Sequence, residues 1–85
     1  MASGNQELIY TVPVDELRSR DFVARALAFP QLLAQGDTAE EAIERITSLL
    51  TYQVRDARQH GEQVPADVMG AGDTAQQLVA VRVAA

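Results

Sequence analysis

A chain of 85 residues, 47% apolar and 22% charged, has room for one small domain and the composition of an ordinary globular protein. It has no cysteine and one histidine, His60, which excludes disulfide scaffolds, thiolate metal sites and thiol nucleophiles and argues against a histidine metal cluster or a serine–histidine triad. The net charge is −5 and the seven basic residues are scattered arginines, so nucleic acid, which needs clustered cations, is not the expected main partner; a basic protein suits the charge better.

No apolar run approaches the roughly 20 residues of a membrane helix, and the first seven residues lack the basic and apolar regions of a signal peptide. A cytoplasmic location is expected. Residues 1–7 read as a flexible tail and 8–85 as a single domain.

Residues 8–14, Leu-Ile-Tyr-Thr-Val-Pro-Val, are rich in β-branched and aromatic side chains and predict a first strand. Alternation puts Leu8, Tyr10, Val12 and Val14 on one face, and Pro13 suggests an edge or strand-end position. After a polar connection, residues 22–29 predict a second strand stopped by Pro30, because proline disfavours helical backbone at the residue before it. On that reading Val23, Leu27 and Phe29 share a face with Arg25, and the alanines fill the other. A short third strand is expected within 31–35, before Gly36.

Asp37-Thr38-Ala39-Glu40-Glu41 offers two overlapping capping boxes, Asp37 with Glu40 or Thr38 with Glu41. Behind it Ala39, Ala42, Ile43, Ile46, Leu49, Leu50, Val54 and Ala57 recur at helical spacing. Arg55, Arg58 and His60 place positive charge near the helix end, and Gly61 supplies a left-handed cap. A helix of about 30 Å over 38–59 follows. Residues 66–74, with Gly70 and Gly72, read as a flexible loop, and 77–83 as a last strand with Val79, Val81 and Val83 on one face. The expected fold is α+β: a small antiparallel sheet of three to four strands with one long helix on one face.

Carboxylates are the only abundant reactive groups. Asp37, Glu40, Glu41 and Glu44 cluster at the helix start, where capping and dipole compensation account for the first three, and an acidic partner-binding patch is the functional alternative. His60 reads as a surface side chain beside free helix carbonyls. Arg25 either recognises an anion or extends to solvent from an edge. Tyr10, Phe22, Phe29 and Tyr52 read as core or interface residues. No catalytic residue, cofactor site or metal site emerges, so the chain is expected not to be an enzyme. The strands at 8–14, 22–29 and 77–83 carry no carboxylate with which to build a metal-dependent nuclease.

The run from Phe22 to Ala42, above all Gln35-Gly36-Asp37-Thr38…Glu41-Ala42, resembles the signature of HicB-type antitoxin domains: a strand ending in proline, a short strand, then Gly-Asp-Thr-x-x-Glu-Ala opening a helix. The likeness covers about residues 9–65. Pro30-Gln31-Leu32-Leu33-Ala34 stands where that family has Pro-x-x-Gly-Cys. The resemblance implies a degraded ribonuclease-H-like fold, self-association, and neutralisation of a small basic ribonuclease toxin, HicA, by occlusion. Asp37, Glu40, Glu41 and Glu44 are then the expected toxin-facing residues. With no helix-turn-helix or ribbon–helix–helix module in the sequence, direct nucleic-acid binding is not expected. The alternative is a stand-alone homo-oligomeric domain that binds a small ligand or another protein, with no toxin. In either case a helix longer than the sheet needs would overhang it, with Leu50, Val54 and Ala57 in an oligomer interface.

Overall fold

Hydrophobic alternation and one amphipathic helix build a four-stranded antiparallel sheet with the helix packed on one face, an α+β fold. The computed structural model describes residues 7–65, 67, 75 and 77–84. The elements are β1 (Glu7–Glu16), β2 (Phe22–Arg25), β3 (Leu33–Gly36), α1 (Ala39–Gln59) and β4 (Gln77–Ala84). The sheet order is β3-β2-β1-β4, every neighbouring pair antiparallel. Apart from Glu7 and Asp67, the expected tail at 1–7 and loop at 66–74 lie outside the described residues.

β1 is central, and its alternation is as expected: Tyr10, Val12 and Val14 are buried and Ile9 is exposed. It pairs with β4 along Glu7–Val14, from Glu7 opposite Ala84 to Val14 opposite Gln77. Pro13 therefore lies inside a central strand, not at an edge or an end. The backbone directions explain why it is tolerated. The Thr11 N–H donates to Asp67 Oδ1 at 2.7 Å, so it points away from β4. Amide direction repeats every two residues, so the Pro13 nitrogen faces the same way. The β1–β2 ladder begins only at Val14 opposite Ala24, and no partner there requires a donor from residue 13.

β2 is shorter than expected and presents the opposite face. The ladder ends at Arg25, and two successive turns follow, Phe29 N–H to Ala26 O at 3.2 Å and Leu32 N–H to Phe29 O at 2.8 Å. Phe29 thus reaches the core from a turn and meets Tyr10 edge-to-face, ring centroids 5.6 Å apart at 67°. Ala24 and Ala26 are the buried residues, while Val23 and Arg25 are half-buried on the far face. Proximity of the helix is the reason. β3 starts two residues later than the expected stretch and takes in Gly36, with Ala34 and Gly36 turned inward, and a Cβ on Gly36 would come within 2.7 Å of the Ala42 nitrogen. Only small side chains fit under that end of α1.

α1 buries Ala42, Ile46, Leu50, Val54 and Ala57, with Ala39 and Ile43 half-buried. Its C-terminus closes with a pair of bonds, Glu62 N–H to Ala57 O at 2.8 Å and Gly61 N–H to Arg58 O at 3.2 Å, with Gly61 at φ 68° as expected. The expected overhang is absent. α1 packs on all four strands, and Leu50 and Val54 are fully buried in a core shared with Tyr10, Val12, Val81 and Val83. Leu50 and Val54 are therefore covered by this chain's own sheet, and Ala57 is buried within the chain as well, so none of the three is available to a neighbour. The ten-residue β1 and eight-residue β4 make the sheet long enough to use the whole helix.

Candidate interaction surface

The start of α1 is assembled by residues of the run from Gln35 to Ala42. Gly36 permits the close approach described above. Thr38, extended at φ −130° and ψ 163°, is the N-cap, and its Oγ1 accepts the Glu41 N–H at 3.0 Å. Of the two capping boxes the structure uses Thr38 with Glu41. Glu41 reaches one residue further back than the usual box, its Oε1 accepting the Asp37 N–H at 2.8 Å. Arg45 ties the joint to the sheet: Nη1 donates to the Gln35 carbonyl at 2.6 Å, and Nη2 lies 3.7 Å from Glu41 Oε1.

The four acidic residues thus divide. Glu41 is half-buried and occupied by the cap and by Arg45, whereas Asp37, Glu40 and Glu44 are exposed. Glu44 borders a shallow hollow with Ile43, Arg45, Thr47 and Ser48. One and two turns further along the same helix face come Ser48 and Tyr52, and Tyr52 is 71% exposed. Leu49 beside it is 38% exposed, although the helical periodicity places it in the core stripe. An expectation of core or interface holds for Tyr10 and Phe29 as core; Tyr52 faces solvent. Its position eight residues after Glu44, on the polar side of the helix, is the signal in the sequence that marks it.

Other candidate residues have structural surroundings. Arg25 Nη2 lies 3.9 Å from Asp15 Oδ2 on the neighbouring strand, both partly exposed. His60 caps the helix end, its Nδ1 2.8 Å from the Asp56 carbonyl and 3.5 Å from Asp56 Oδ1. The bond to that carbonyl, and then the Asp56 carboxylate, raise the His60 pKa above its ordinary value. The Tyr10 hydroxyl donates to the Pro65 carbonyl at 2.7 Å. Burial raises its pKa, opposed by Arg58 and assisted by Asp67, so it stays a neutral donor. Asp67 in turn holds both the N–H and the hydroxyl of Thr11.

Among the described residues, no three histidine, aspartate or glutamate side chains converge as metal ligands, and no helix is long and apolar enough to cross a membrane. No protein-family model, curated protein or solved structure matches the chain.

Proposed function

We propose that this chain is a non-enzymatic protein-binding domain that takes a basic protein partner on the exposed face of α1. The observation that carries the reading is Tyr52, 71% exposed beside Leu49, in line along one helix face with Glu44 and Glu40. An exposed tyrosine with an apolar neighbour and a carboxylate rim has the character of an interface anchor surrounded by steering charges. The resemblance to HicB-type antitoxin domains supplies the partner class: a small basic HicA-like ribonuclease, neutralised in the cytoplasm when this domain covers its RNA-binding surface. On that reading the sheet and helix are a degraded ribonuclease-H-like fold put to use as a binding surface.

The test is kinetic. Reversing Glu40 and Glu44 to Lys should slow association with a candidate basic ribonuclease at low salt, whereas Tyr52→Ala should speed dissociation. Equal association rates for wild type and the charge-reversed pair would remove the acidic residues from the interface. A second reading, a homo-oligomeric domain with another partner and no toxin, draws support from one observation: Gly36, Thr38, Glu41 and Ala42 all serve the β3–α1 joint, which explains the signature without a toxin. Co-purification from native cytoplasm with a small basic ribonuclease favours the first reading; recovery of a different protein favours the second.

A further inference from the structure

Among the described residues the sheet has three stretches of unpaired edge, and they are treated unequally. The outer edge of β3 is four residues long, and the Arg45 guanidinium occupies its Gln35 carbonyl. The part of β1 that β2 does not reach is closed at Thr11 by the Asp67 carboxylate. The outer edge of β4 is eight residues long, and among the described residues no strand pairs with it. It contains no proline and a single charge, Arg82, whereas natural edges are ordinarily blunted by prolines, charges or short length.

We propose that the outer edge of β4 pairs with β4 of a second copy of this chain. The two strands run antiparallel about a two-fold axis, giving one continuous eight-stranded sheet with both helices on the same face. Charge selects a second copy and selects this edge. An acidic chain meets its own copy best where carboxylates are absent, and β4 has none. Beyond the Arg45–Glu41 pair, the β3 end carries Asp21, Asp37 and Glu40 and would set like charges together.

The backbone fixes which atoms pair. Thr11 points its N–H away from β4 and stands opposite Ala80, so Ala80, and with it Leu78 and Arg82, direct their N–H and C=O groups away from β1. Pairing centred on Ala80 sets Leu78 opposite the partner's Arg82 and forms about six ladder hydrogen bonds. The two Arg82 side chains lie about 13 Å apart along the strands. On the helix side, half-buried Val79 meets the partner's apolar edge and extends the core. The proposal names a self-association surface and does not depend on the toxin reading, and its test uses no toxin.

Sedimentation equilibrium of the purified chain should give twice the 9.2 kDa chain mass. Ala80→Pro removes an N–H that the β1–β4 ladder does not use, and Ala80→Lys places two like charges face to face at the axis; each should return the mass to that of the monomer. Leu33→Lys, on the opposite edge, should leave the dimer intact. If neither Ala80 variant folds, amide exchange of the wild type decides. The Ala80 and Arg82 amides should become protected as concentration rises, while the Val81 amide is protected throughout. A wild-type monomer at high micromolar concentration, a dimer unchanged by both folded Ala80 variants, or edge amides that exchange equally fast at every concentration would each overturn the proposal.

Discussion

The β3–α1 joint and the outward face of α1 are adjacent in sequence and opposite in character. At the joint every distinctive residue has a neighbour to serve: Gly36 leaves room for Ala42, Thr38 and Glu41 satisfy backbone donors, and Arg45 bonds the Gln35 carbonyl. On the outward face Glu40, Glu44 and Tyr52 are exposed, and among the described residues no side-chain hydrogen bond or ion pair engages them. A recognisable motif therefore marks how the chain turns from strand to helix, and the residues free to choose a partner stand beside it. Substitutions should separate the two regions, with large stability losses in the core and joint and small ones on the outward face.

The largest effect is expected in the core under the middle of α1. Leu50→Ala empties a fully buried site and should cost about 2–5 kcal/mol, read from the midpoint of urea unfolding. Under conditions where the variant is folded, its sedimentation mass should equal that of wild type. A lowered mass with unchanged stability would return Leu50 to an interface. Gly36→Val comes next, at about 1–3 kcal/mol, because its Cβ would sit 2.7 Å from the backbone nitrogen of Ala42, an atom that cannot move aside cheaply. Wild-type stability in that variant would show that α1 does not approach β3 so closely.

That close approach also explains what the sequence could and could not reveal. The helix and its glycine stop were legible, and the N-cap was narrowed to Asp37 or Thr38, because their signals are local: spacing, overlapping capping pairs and one residue suited to positive φ. The face of β2 was not. Hydrophobicity ranks Val23, Leu27 and Phe29 above Ala24 and Ala26, and nothing within those eight residues announces that a helix will press on the alanines. Pro13 misled for the same reason, since its tolerance depends on where the β2 ladder stops. At the candidate surface the carboxylates were legible by composition, whereas Tyr52 needed knowledge of which helix side the sheet covers.

The smaller effects sharpen the contrast within the first turn. Thr38→Ala should cost about 1 kcal/mol, because Thr38 is the residue whose hydroxyl accepts the Glu41 N–H. Asp37→Ala should cost only a few tenths, since the structure uses its backbone N–H and not its carboxylate in the cap. Equal losses in the two variants would mean that both capping boxes are populated. Tyr52→Ala should stay within about 0.5 kcal/mol of wild type. The Glu40→Lys, Glu44→Lys pair should lose about 1 kcal/mol because a lysine at position 40 opposes the helix dipole, so both variants stay folded and a binding defect in either belongs to the interface.

At the other end of α1 the smallest effect is expected, and it depends on pH. The His60 ring can donate to the Asp56 carbonyl from Nδ1 when it is protonated, and that bond, with the Asp56 carboxylate behind it, raises the folded-state pKa above the unfolded value of 6.5. A raised pKa means that the folded state binds the proton more tightly. The stabilisation is therefore complete below pH 6.5 and is lost as pH rises through the higher folded value. Because the side chain is exposed, solvent screens the interaction and keeps it weak. His60→Ala should lower the urea midpoint slightly at pH 5.5 and leave it unchanged at pH 8.5, in contrast to Thr38→Ala, whose loss should be the same at both. A His60→Ala deficit that grows toward alkaline pH would reverse the assignment and require a bond made by the neutral ring.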